Sequence, residues 1–304
     1  MTGIDHVDEP PGARTRLPGV RGFALRAYAR VARLLPVLRT VGFVAAVAIV
    51  VAMGVGAAGD VHLARLSWWP LPVGVLAATL WWVLLGRGWV LLLSGRLNRA
   101  DFSSWCRTQA LRYLPGGIWA PVSRGAIMHG SSLDRLSTVA AENVVSLCAA
   151  LALGGVALAL AGKLVWVPLV LAAAVPVVAS RFTASRTRIR PARTRRATVN
   201  YVVAFAGYML AAVLVQAAIS GWHDLATVAG AACLSWAAGL VVVIAPSGVG
   251  AREWVYVELL KGPFAHADLV AGALTLRVIT IVAELAVLVV AGRPAASPGD
   301  SKSR

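Results

Sequence analysis

The sequence predicts an all-α polytopic membrane protein with about six full spans and two re-entrant, broken-helix hairpins arranged as an inverted-topology repeat. Three observations carry this. The 304 residues are 59% hydrophobic and only 14% charged, with a mean hydropathy of +0.75, whereas soluble domains average about 45–50% apolar and about 25% charged. The basic residues behind the +16 net charge fall in blocks between apolar runs, as cytoplasmic loops beside anionic lipid do. Finally, one device breaks the hydrophobic pattern twice, at Pro115-Gly116-Gly117-Ile118-Trp119-Ala120 and at Pro246-Ser247-Gly248-Val249-Gly250-Ala251. Pro lacks an N–H and Gly is conformationally loose, so both interrupt helices. Inside a membrane, interrupted backbone persists only where protein or a wet cavity satisfies it.

Taken in order, residues 1–39 read as a cytoplasmic basic arm. It is Pro- and Gly-rich at first and then amphipathic, with Arg21, Arg26, Arg30, Arg33 and Arg39 among apolar residues. That pattern suits an interfacial helix. Residues 41–58 form the first apolar run, read as a retained span because some forty residues precede it, far more than a signal peptide allows. Trp68-Trp69 mark an interface, and Leu71–Leu93 is the second span, with Arg87 placed to snorkel toward Arg96 and Arg99.

Residues 101–130 are too polar for a plain span. Leu136–Gly162 and Leu164–Ser180 follow as spans, and the loop Arg181–Arg196 with its seven arginines is read as cytoplasmic. Arg96 and Arg181 then share a side, so 101–130 must begin and end there, as a re-entrant hairpin. A fifth span, Val199–Ile219, leads to Leu225–Ala245, the second break and the short stretch Trp254–Leu260. Ala267–Gly292 is the last span, before a polar cytoplasmic tail at 293–304. With that tail inside, 225–263 enters and leaves from the opposite side, although the 21 residues of Leu225–Ala245 are long enough to cross at about 1.5 Å each. Transporters built this way bind substrates where broken helices point their N-termini into the membrane, which favours anions.

A charge at mid-membrane costs from about 2.5 kcal/mol to far more, so Arg112, Arg124, Glu142, Arg252, Glu253, Arg277 and Glu284 are candidate functional residues. The break residues Pro115, Gly116, Gly117, Pro246, Gly248 and Gly250 complete the set. Mutual neutralisation, for example Glu142 with Arg112 and Glu253 with Arg277, competes with a cavity in which arginines bind phosphate or carboxylate. Arg277 and Glu284 lie roughly 10 Å apart along one helix and are each expected to pair with another helix. Cys106, Cys148 and Cys233 have no metal-ligand spacing and read as small core hydrophobes. No cofactor is implied, and the basic segments carry no nucleic-acid-binding pattern.

The string Arg112-x-Leu114-Pro115-Gly116-Gly117, with Arg124 and Glu142, and the later Pro246-Ser247-Gly248-Val249-Gly250-Ala251-Arg252-Glu253-Trp254 with Arg277, resemble the lysylphosphatidylglycerol synthase transmembrane family. This is the membrane part of the bacterial multiple peptide resistance factor, found also as free-standing flippase-like proteins. The resemblance covers about residues 40–292 as one domain. Ser247 stands where the family commonly has Gly, and Trp119 where Gly is common in the early motif. The resemblance implies translocation of an anionic, aminoacylated or polyprenyl-phosphate-linked lipid across the plasma membrane in cell-envelope biogenesis. Lysyl-lipid synthesis belongs to a separate cytosolic domain and is not expected of this chain. Two alternatives stand beside it. One is a non-transporting partner of an envelope enzyme, alone or as a homo-oligomer. The other is a membrane transferase, suggested only by the H-x4-D spacing of His129 and Asp134.

Overall fold

The computed structural model describes residues 66–109, 123–124, 132–183, 189–242 and 248–291. The basic arm, the first apolar run, the residues 110–122 around the first break, Pro246 and the tail lie outside them. The described residues are helical and contain five helices long and apolar enough to cross a membrane. These five coincide with the last five of the six expected spans.

Among the described residues eight α-helices follow in order: α1 Pro70–Leu93, α2 Arg99–Gln109, α3 Ser132–Leu160, α4 Val175–Thr183, α5 Pro191–Ser220, α6 Leu225–Val241, α7 Ala251–Leu260 and α8 His266–Ala291. Two bounds differ from expectation. The basic loop is shorter, because Pro191 starts α5 and places Arg193, Arg195 and Arg196 on its first two turns; Pro at the first helical position has its φ preset and lacks only an N–H that would be orphaned anyway. Helix α6 ends at Val241 rather than Ala245, so its 17 residues reach about 25 Å, short of a hydrocarbon core of about 30 Å.

The segment before α4 is also unlike a plain span. Leu164–Ala174 is a 3₁₀ helix containing Pro168, which cannot donate to an α-helical ladder. A 3₁₀ helix rises about 2.0 Å per residue against about 1.5 Å for an α-helix. The tighter winding therefore lets the 20 residues Leu164–Thr183 extend about 35 Å, enough to cross. Gly155 of α3 admits this segment, since a Cβ there would lie 2.8 Å from the Trp166 carbonyl.

Side-chain contacts define two ends of the bundle. At one, Trp69 stacks on Trp222 with ring centroids 5.5 Å apart, His223 stacks on Phe264 at 4.5 Å, and the Ser67 N–H donates to the Ala218 carbonyl at 2.9 Å. The start of α1, the α5–α6 turn and the α7–α8 turn therefore share this aromatic end. At the other, Arg193 donates to the Leu93 carbonyl at 3.0 Å, joining the end of α1 to the start of α5. Arg96, Arg99 and Arg190 lie near that junction in sequence, and it is the basic end. Helices α6 and α7 thus leave the aromatic end and come back to it: Phe264, just after α7, sits on His223, just before α6.

Helix α1 packs along α5 through small residues, with Ala77, Ala78, Ala204, Ala211 and Ala212 buried. Gly207 faces this seam, where an added Cβ would lie 3.3 Å from the Ala77 carbonyl. Helix α3 lies against α6, and α8 lies against α2 and α1. Gly154 and Gly230 let α3 and α6 approach until Leu158 and Leu234 fill the gap. Gly207→Leu is expected to wedge the α1–α5 seam apart and cost about 1–3 kcal/mol, while Gly207→Ala, which asks the Ala77 carbonyl to give by only a few tenths of an ångström, costs less. Thermal unfolding in detergent, followed for both variants, measures the difference.

Candidate functional site

Two ion pairs stand inside the bundle, on either side of Trp82 midway along α1. The first is built from three segments. Glu142, buried on α3, pairs with buried Arg124 and accepts a 2.9 Å hydrogen bond from the indole N–H of Trp105 on α2. Gly86 makes room for α2: a Cβ there would come within 2.5 Å of the Phe102 ring and 2.7 Å of Trp105. Trp105 is 1% exposed, so its N–H needs an acceptor inside the protein. One Glu142 oxygen supplies it while the other meets the guanidinium. Ser146 turns back to the Glu142 carbonyl at 2.8 Å and presents no free hydroxyl there.

The second pair is built at the other break. Gly248 and Gly250 have φ of +68° and +85°, which only Gly adopts without strain. Gly248 lies against the backbone of Gly239 in α6, where an added Cβ would come within 2.5 Å of the Gly239 Cα. The chain then enters α7, and the Gly250 N–H donates to the Glu253 carboxylate at 2.7 Å. The second Glu253 oxygen lies 3.9 Å from the Arg277 guanidinium of α8. Arg252 lays its stem along Gly239 and its guanidinium over the Trp236 ring, 5.5 Å from the centroid, a cation–π contact. Arg252, Glu253 and Arg277 line a small polar hollow with Tyr208, Ser235, Tyr256 and Thr280, of about 20 Å³, room for about one water. Tyr256 donates to the Gln216 side-chain oxygen at 3.2 Å, holding α7 against α5.

The two pairs are joined. The Trp82 indole on α1 packs 5.8 Å from Trp105 and donates at 3.0 Å to the Thr280 carbonyl on α8. The Thr280 hydroxyl donates to the Arg277 carbonyl at 2.8 Å. An unbroken line of contacts therefore runs from Arg124 through Glu142, Trp105, Trp82 and Thr280 to Arg277 and Glu253. Glu284, one turn beyond Thr280, is also buried, on the part of α8 near Cys106 of α2.

Arg124 and Glu142 are thus together at one pair, and Gly250, Arg252, Glu253 and Arg277 at the other, with Gly248 shaping the turn between α6 and α7. Glu284 stands apart from the pocket lining. Arg112, Pro115, Gly116, Gly117 and Pro246 lie outside the described residues. The expected partner of Glu142 was Arg112; the structure gives it Arg124, whereas Glu253 meets Arg277 as expected. The expectation of an open anion seat at the start of α7 needs correction, because Glu253 caps that N-terminus with its own carboxylate. Cys106, Cys148 and Cys233 are buried free thiols, and no group of three metal-ligating side chains occurs among the described residues. Asp134 is half-buried on the first turn of α3, and His129 lies outside the described residues.

Sequence reasoning missed Trp82, Trp105, Tyr208, Ser235, Tyr256 and Thr280. Trp105 carried a usable signal, since an indole in a short broken helix beside a membrane carboxylate needs an acceptor. Chemically, the arrangement presents cations and hydroxyls around a small polar hollow, a setting for holding an anion. The fold and this centre define a polytopic all-α membrane protein with a charged interior. Comparison with protein-family models, with curated proteins and with solved structures finds no match for this chain.

Glu142→Gln removes the carboxylate that buried Arg124 meets and is expected to destabilise the protein by on the order of 3–5 kcal/mol. Trp105→Phe keeps the ring and loses only the hydrogen bond, a smaller cost of about 1–3 kcal/mol. Detergent unfolding of the two variants should rank them in that order; equal midpoints would contradict the assignment.

Proposed function

We propose that this chain is a flippase-like protein that moves an anionic lipid, aminoacylated or polyprenyl-phosphate-linked, between leaflets of the plasma membrane in cell-envelope biogenesis. Its motifs resemble the lysylphosphatidylglycerol synthase transmembrane family in its free-standing form. The observation that carries the reading is the two buried ion pairs, each tying a residue that follows a Pro-Gly break to the next long helix, with Arg252 and Arg277 at a polar pocket. A structural protein gains nothing from a charged, hollow centre that well-packed apolar residues could fill more stably.

The inverted repeat is part of this reading. It equates α1, α2 and α3 with α5, α6 and α8. The packing supports it by reciprocity: α6 lies on α3 as α2 lies on α8, and α3 meets α5 as α8 meets α1. The positive-inside rule puts the basic end, and with it the N-terminus, in the cytoplasm.

The anion would reach Arg252 and Arg277 by displacing Glu253 from Arg277. Reconstituted in liposomes, the protein is expected to accelerate transbilayer movement of a fluorescent anionic lipid. Arg252→Ala and Arg277→Ala are expected to slow this at least about tenfold, as loss of a charge-assisted contact would. Unchanged background rates across phosphatidylglycerol, lysyl-phosphatidylglycerol and polyprenyl phosphate would sink the proposal. A second reading, a non-transporting partner of an envelope enzyme, draws on the matching of Arg124 by Glu142 within the chain. It requires that Arg277→Ala leave co-purification with that enzyme intact and that no lipid move.

A further inference from the structure

A cluster of three arginines lies on the flank of the bundle, away from the centre. Arg87 on α1 and Arg195 and Arg196 on α5 border a groove of about 460 Å³ between these two helices. All three are exposed, and no acidic side chain pairs with any of them among the described residues. The remaining wall is Leu84 and Leu91 on α1 and Val199, Val203 and Asn200 on α5, the Asn200 amide being turned to the Leu84 carbonyl at 2.6 Å.

The register of the two antiparallel helices orders these residues by depth. Arg193 meets Leu93 at the basic end and Asn200 meets the Leu84 carbonyl further in, so Arg195 and Arg196 stand at the mouth. Arg87 sits about 9 Å inward from the end of α1, level with Val199, and Leu84 and Val203 lie deeper still. A shallow cationic rim above an apolar trough has the polarity of an amphiphile, with its anionic headgroup at the rim and its chain running inward. A soluble anion would use the rim alone. Two arginines at the mouth and one below can grip a phosphodiester from two sides, the bidentate geometry guanidinium favours. Snorkelling of Arg87 alone does not account for three arginines lining one groove of this size.

We propose that the α1–α5 groove is a binding site for one anionic phospholipid of the leaflet at the basic end, with its phosphate among Arg87, Arg195 and Arg196 and an acyl chain along Leu84, Val199 and Val203. The site is separate from the central pocket and holds whether or not that pocket carries a lipid across.

The test uses the full chain purified in detergent and titrated with short-chain phosphatidylglycerol, short-chain phosphatidylcholine or glycerol phosphate, with bound lipid counted by native mass spectrometry. One phosphatidylglycerol is expected to bind, with phosphatidylcholine binding about tenfold more weakly for lack of net charge. The triple variant Arg87→Gln, Arg195→Gln, Arg196→Gln is expected to erase that preference. Val203→Trp, which fills the trough and keeps every arginine, is expected to reduce phosphatidylglycerol binding as well. The phosphatidylglycerol assigned here is the one the triple variant loses; a lipid held at the central pocket would survive that variant, which separates the two sites. Equal binding of the two lipids, a triple variant that behaves as the parent, full binding by Val203→Trp, or displacement of the lipid by equimolar glycerol phosphate would each overturn the assignment.

Discussion

A charge at mid-membrane depth must find its opposite inside the protein, and here the opposite charge comes from a different segment each time. Arg124 reaches Glu142 of α3, and Glu253 of α7 faces Arg277 of α8. Removing either partner exposes the other to a medium that cannot solvate it. That requirement ties the broken segments to the long helices beside them. The Trp105–Glu142 hydrogen bond holds α2 inside the bundle, and α7 starts where Glu253 caps its first turn.

The two pairs carry their signs in opposite order. At the first break the arginine follows the interruption and the glutamate sits on the long helix; at the second the glutamate follows it and the arginine sits on the long helix. Each pair is neutral by itself, so neither depends on the other for charge. What connects them is shape and hydrogen bonding: the Trp82–Trp105 contact and the Thr280 carbonyl. Small residues make this proximity attainable. Gly86, Gly239 and Gly248 each occupy a place where a Cβ would come within 2.6 Å of a neighbour.

Much of the fold was legible in the sequence because hydropathy and charge blocks act over whole segments. The spans around Leu71–Leu93 and Ala267–Gly292 reappear nearly unchanged as α1 and α8. Boundaries set by single residues were harder to read, as with Pro191, which extends α5 into the basic block. The charged members of the centre were legible because an ionised group in an apolar span is conspicuous. Their partners were not, because which of Arg112 and Arg124 meets Glu142 depends on how the chain returns from the break. Trp82, Tyr208 and Tyr256 resemble ordinary apolar-span residues, and only tertiary packing gives their polar atoms a role.

The segment Leu164–Thr183 stands in contrast to all of this, with only 11% of its most apolar stretch buried within the protein. Leu164, Val165 and Leu171 face outward, and contact with the bundle comes largely through one side laid on α3. Such a surface is read by lipid, which responds to oiliness and length and is indifferent to the outline of any one side chain. Exchange among Leu, Val, Ile and Ala is therefore nearly free along this strip, whereas a single methyl at Gly86 or Gly239 is not. Two chains with the same interior could drift far apart here without either losing its architecture.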